Sequence, residues 1–114
     1  MKINELVNIL EGRVVCGEQF LDREIEYGFA SDLMSDVLTL DIDKLVLITG
    51  LNNLQTIRTA EMADIECIVF ARNKRIHPSM VELAAEHQMV LVECRFSMFK
   101  AVARLSAAGL KPVY

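Results

Sequence analysis

From residue 44 onward the chain repeats one pattern: a continuous run of apolar residues, a short polar turn, then a stretch whose apolar positions recur at helical spacing. The runs are Leu45-Val46-Leu47-Ile48, Cys67-Ile68-Val69-Phe70-Ala71 and Met89-Val90-Leu91-Val92. Short, unalternating and rich in β-branched residues, they predict strands covered on both faces, as in a parallel sheet. The stretches between them predict helices. The first starts near Asn53 and turns Leu54, Ile57, Ala60 and Ala63 inward, with Gln55, Arg58 and Glu61 facing water. The second carries a candidate capping box in Ser79 and Glu82, with Met80, Leu83 and Ala84 on its buried side. The third begins around Ser97, holds Met98, Val102 and Leu105, and stops before Gly109 and Pro112. The 22-residue recurrence of Leu45, Cys67 and Met89 is βα periodicity rather than a solenoid repeat, and each crossover is long enough to be right-handed and parallel.

The first forty residues are less regular. They predict a helix from Lys2 to Leu10 ending at Gly12, a strand from Arg13 to Cys16, an extended piece from Ile25 to Ala30, and a short helix from about Ser31 to Leu40. No linker or low-complexity tract interrupts the 114 residues. The expected architecture is one α/β domain over residues 1–114, three layers deep, with a short, mostly parallel β-sheet flanked by helices.

Composition narrows the partners. A 53% hydrophobic fraction beside 25% charged residues leaves more apolar side chain than one small core needs, so part of it is expected at an interface. The net charge of −4, without a clustered Lys/Arg stripe, argues against nucleic acid. No apolar run approaches the roughly 20 residues of a membrane span, and Met1-Lys2-Ile3-Asn4-Glu5 does not open a signal peptide. Cys16, Cys67 and Cys94 are odd in number and sit in apolar runs, as reduced core cysteines do. A cytoplasmic protein is expected.

Candidate chemistry is sparse. Gly12-Arg13-Val14-Val15-Cys16-Gly17 has the glycine spacing of a phosphate loop, but Glu18-Gln19 stand where Lys and Ser/Thr are required. The turn Thr49-Gly50-Leu51-Asn52-Asn53, with Thr56 one turn on, lies outside a strand's carboxyl end at a helix start, where open α/β sheets bind ligands. Asn53 or Asn52 as a helix cap there, with Gly50 supplying a tight turn, is the preferred reading. With Arg72-Asn73-Lys74-Arg75 and Glu93-Cys94-Arg95 at the other strand ends, a parallel sheet gathers Thr49, Asn52, Arg72, Asn73, Arg95 and Ser97 on one rim, a candidate seat for a small anion. Ser31-Asp32 and Ser35-Asp36 place two carboxylates on one helical face, a spacing suited to a divalent cation or a basic partner loop, though acidic residues in a first helical turn are the preferred reading. His77 and His87 share no face and have no C-x-x-C beside them, so no metal or other cofactor is expected. Cys94, ending a strand near Arg95 and a helix start, is a candidate for a lowered pKa, but nothing supplies an oriented base, and the core reading is preferred. The methionines are spread along the chain, as gap-fillers rather than a docking groove.

Three segments carry a resemblance: Gly28-Phe29-Ala30-Ser31-Asp32-Leu33-Met34-Ser35-Asp36-Val37-Leu38, Val46-Leu47-Ile48-Thr49-Gly50, and Ser97-Met98-Phe99. Together they are similar to the DRTGG domain over nearly the whole chain, and Ala-Ser-Asp-Leu-x-Ser-Asp-Val is the most specific part. Such domains occur alone or fused to phosphotransacetylase and to CBS-domain proteins, and their fold is related to the N-terminal domain of HPr kinase/phosphorylase. The resemblance implies a regulatory or assembly module that dimerises and lacks the P-loop kinase domain. This sequence departs from many relatives in having no acidic and basic pair in the turn after Ile48.

The leading expectation is therefore a non-catalytic regulatory module acting as a homodimer on a partner protein. Its interface is placed on the segment Tyr27 to Val37, through Tyr27, Phe29, Ser31, Asp32, Ser35 and Asp36. The alternative is a sensor of a nucleotide or phosphorylated metabolite, bound at the rim through Thr49, Gly50, Asn52, Asn53, Thr56, Arg72, Asn73, Arg95 and Ser97. An enzyme ranks third, for want of a catalytic constellation.

Overall fold

In the computed structural model, which describes residues 1–114, the chain runs α1 (Ile3–Ile9), β1 (Arg13–Cys16), a 3-10 turn (Glu18–Phe20), β2 (Tyr27–Ala30), α2 (Met34–Val37), β3 (Leu45–Thr49), α3 (Leu54–Met62), β4 (Cys67–Phe70), α4 (Pro78–Glu86), β5 (Val90–Glu93), α5 (Met98–Ala107) and β6 (Lys111–Pro112). The strands form one six-stranded sheet in the order β1-β5-β4-β3-β2-β6. All pairings are parallel except that of edge strand β1 with β5. The Gly12-to-Gly17 segment is thus a strand and its flanks, not a phosphate loop.

The three apolar runs are buried because each face of the sheet carries its own helical layer. Leu45, Leu47, Ile68, Phe70 and Leu91 point to a cluster closed by residues of α2, α3 and α4. Val46, Ile48, Cys67, Val69, Val90 and Val92 point the other way, to a cluster closed by residues of α1 and α5. Alternate residues of a strand leave on opposite faces, so runs with no polar member are what this double burial demands.

The chain steps from β2 through β5 in one direction across the sheet, its helices on a single face, then returns over the opposite face through α5 to β6 beyond β2. Reversing direction and face together keeps one hand for every crossover. It also sends the loops leaving β4 and β5 to opposite faces, which is the arrangement that opens a ligand crevice at strand carboxyl ends.

Four expectations need correction. The helix expected from Ser31 to Leu40 is only Met34–Val37. Ser31 Oγ accepts the Leu33 N–H at 3.0 Å, and Asp32 bonds across to β3 instead of joining the helix; Asp32 and Asp36 therefore share no helical face. The Ser79–Glu82 capping box does not form, because Pro78 takes the first helical position with His77 as an uncapped N-terminal neighbour, a place its fixed φ and missing N–H suit. The reversal after α1 falls on Glu11, at φ 50°, not on Gly12. Val102 turns outward, and Ala101 and Leu105 carry the buried side of α5. No helix is long and apolar enough to cross a membrane.

Candidate functional site

The carboxyl ends of the parallel strands form a rim whose two halves are built differently. On the half around β2 and β3, Asp32 is the hub. Its Oδ1 accepts the Gly50 N–H at 2.7 Å and the Thr49 hydroxyl at 2.9 Å, and its Oδ2 faces the Arg72 guanidinium at 3.3 Å. The Gly50 N–H holds the Asp32 carboxyl below its ordinary range against the opposing effect of partial burial; the Thr49 hydroxyl, Arg72 and Lys74 add to the lowering. The Arg72 side chain lies against Gly50 so closely that a Cβ there would overlap the guanidinium. A side chain at this turn would displace the Arg72 guanidinium from its place beside Asp32.

The helix starts on the rim are satisfied by their own residues. Asn53 Oδ1 accepts the Thr56 N–H at 3.0 Å, the Thr56 hydroxyl donates to the Leu51 carbonyl at 2.7 Å, and Ser97 Oγ accepts the Lys100 N–H at 3.1 Å. For Asn53 the cap reading of the sequence is the one observed. Asn52 reaches further, donating from Nδ2 to the Arg75 carbonyl at 2.8 Å.

Between β4 and β5 the rim opens. Arg72 and Asn73 take consecutive left-handed conformations, φ 64° and 58°, which non-glycine residues adopt only where surroundings hold them. What holds them is the neighbouring loop: Arg72 N–H donates to the Phe96 carbonyl at 2.7 Å and Asn73 N–H to the Cys94 carbonyl at 3.0 Å. Beside this tether lies a cavity of about 370 Å³ with Arg13, Lys74, Arg75 and Arg95 on its walls, against the carboxylates of Glu11 and Glu93. Glu93 is occupied locally, accepting the Ile76 N–H at 2.9 Å and lying 3.9 Å from Arg13. Glu11 lies 3.9 Å from Arg104.

Of the residues singled out as ligand-binding in the sequence, Thr49, Gly50 and Arg72 meet at Asp32, Asn53, Thr56 and Ser97 serve helix starts, and Asn73 and Arg95 line the cavity with Lys74 and Arg75. Arg13 was not singled out. Its signal is topological: β1 runs antiparallel to β5, so its first residue, Arg13, lies opposite Glu93. Among the residues assigned to an interface, Tyr27 and Phe29 pack partly buried against the α2–α4 layer, Ser31 and Asp32 are engaged as described, and Ser35 and Asp36 are exposed on α2.

All three cysteines are buried and free. Burial pushes the Cys94 thiol up, not down, despite Arg95, and its Sγ lies 3.7 Å from the Leu10 carbonyl. Cys67, enclosed in the core, is pushed up to about 12. At both positions burial works against the thiolate form.

No curated protein matches the chain. Among solved structures, the crystal structure of the CBS and DRTGG domains of the regulatory region of Clostridium perfringens pyrophosphatase, complexed with the activator diadenosine tetraphosphate, is similar with a TM-score of 0.71 at 13% identity. The similarity covers 96% of this chain and 47% of that one, so the chain spans about half of the regulatory region. The model of the DRTGG domain matches residues 5–108, nearly the whole of the sheet and both its helical layers, and the chain therefore belongs to the DRTGG domain family.

Proposed function

We propose that this chain is a non-catalytic regulatory module that works in the cytoplasm as a homodimer and modulates a metabolic or signalling partner protein. The observation that carries this reading is the near end-to-end match of its fold to part of a regulatory region, with 96% of the chain covered. The self-association arm draws support from the apolar side chains that α2 leaves outside: Leu33 and Leu38, flanking the helix, are 57% and 50% exposed. They fall at the stretch from Tyr27 to Val37 and just beyond it, next to α3, whose last residue Met62 is also exposed. Light scattering on the full chain tests it. A mass of twice 12.8 kDa at micromolar concentration, reduced to the monomer by Leu38→Asp, is the expected result. A monomer throughout that range overturns the homodimer.

A second reading, a sensor of a nucleotide or phosphorylated metabolite at the rim, is favoured by the cationic lining of the cavity between β4 and β5.

A further inference from the structure

We infer that the crevice between the ends of β4 and β5 is an oligophosphate site, one that grips a di- or triphosphate group through Arg13, Lys74, Arg75 and Arg95 and takes no part in reading a base. The inference rests on the sensor reading above and narrows it to a place and a chemical class.

Charge is the first argument. The chain as a whole carries −4, yet this cavity sets four cations against two carboxylates, a local surplus of two positive charges. Lys74, Arg75 and Arg95 form no ion pair within the chain. Cations drawn together without carboxylate partners repel one another, and a multiply charged anion removes that repulsion while guanidinium groups offer paired donors to phosphate oxygens.

Shape is the second. A volume of about 370 Å³ exceeds what a single phosphate fills and falls in the range of small-ligand cavities. No aromatic side chain lines it and Cys94 is its one apolar member, so a nucleobase finds nothing to stack on. The chemistry on offer is charge and hydrogen bonding alone.

The cationic loop is also held in place before any ligand arrives. The Asn73 N–H is tied to Cys94, the Ile76 N–H to the Glu93 carboxylate, and the Arg75 carbonyl to Asn52. Ordering a loop on binding weakens affinity, and this one is ordered already. Asn52 is on this account a positioning residue, acting through Arg75.

Titration calorimetry of the full chain at low salt, with orthophosphate, pyrophosphate, tripolyphosphate, ATP and GTP, tests the assignment. Saturable binding is expected, tightening from orthophosphate to tripolyphosphate and weakening as salt is added. ATP, GTP and tripolyphosphate should agree within roughly threefold, since the base is not read. The double variant Arg75→Gln/Arg95→Gln should lose at least about tenfold in affinity, with Arg58→Gln, on the exposed side of α3, as the unaffected control. Thermal midpoints of the variants confirm that each is folded, and Lys74→Gln gives an independent weakening if the double variant is not. No saturable binding by any of the five anions overturns the site and the sensor reading. ATP binding without tripolyphosphate binding, or binding indifferent to Arg75, Lys74 and Arg95, overturns this site alone and leaves a sensor elsewhere on the rim. Light scattering of the same samples reads the homodimer separately.

Discussion

The two halves of the rim use the same residue types to opposite ends. Around Asp32 the polar groups face one another: carboxylate, hydroxyl, backbone N–H and guanidinium close into a set whose members are each other's partners. Between β4 and β5 Lys74, Arg75 and Arg95 line a cavity and make no ion pair within the chain. Polarity on a sheet's carboxyl edge therefore carries no functional message until its partners are counted. A closed set stabilises the fold, and an open one is available to something else.

Substitutions can break this division. The largest effect is expected at the closed half. Asp32→Ala leaves the buried Thr49 hydroxyl and the Gly50 N–H without their acceptor, which should cost about 2 kcal/mol in denaturant unfolding. A change below about 0.5 kcal/mol would mean that the set is decorative. A smaller, pH-dependent effect should follow from Asp32→Asn, which keeps the acceptor oxygen and removes the charge. Because the folded carboxyl titrates below its unfolded range, its ionised form contributes stability at neutral pH that is lost as pH falls through the depressed value. Wild type should therefore exceed the Asn variant at neutral pH by at most about 1 kcal/mol, since both partners of the Arg72 pair are partly exposed, and the gap should close in acid. Smallest of all, Lys74→Ala or Arg95→Ala should move stability by no more than about 0.5 kcal/mol in either direction. A larger loss in either would place these residues with Asp32, as structural groups, and remove the contrast.

How much of this was legible in the sequence depended on whether a residue's partner was near it in the chain. The central strands were readable because double burial writes itself as an unbroken apolar run, and Leu45–Thr49 has every residue buried. The Asn53 cap was readable because its partner, Thr56, is one helical turn away. The short α2 was not. Its predicted first turn depended on Ser31 and Asp32, and Asp32 finds its acceptor role 17 and 18 residues downstream, at Thr49 and Gly50. Tertiary bonds override local helix signals in this way. The capping box at Ser79 and Glu82 failed for a local reason, since the proline one position earlier was the better start. On the rim, Arg72, Asn73 and Arg95 were found from the parallel-sheet rule, but the split into a closed and an open half was invisible, because it turns on which strands diverge to opposite faces. Arg13 lay beyond reach for the same reason, being carried to the crevice by the single antiparallel pairing.

The two backbone bonds from Arg72 to Phe96 and from Asn73 to Cys94 have a mechanical meaning. They splice the segment leaving β4 to the one leaving β5, and Arg72 in turn grips the segment leaving β2 through Asp32. The exits of β2, β4 and β5 are thereby tied to one another. The wall of the cationic crevice and the foot of α2 are in this way joined by three contacts, two through the backbone and one through an ion pair.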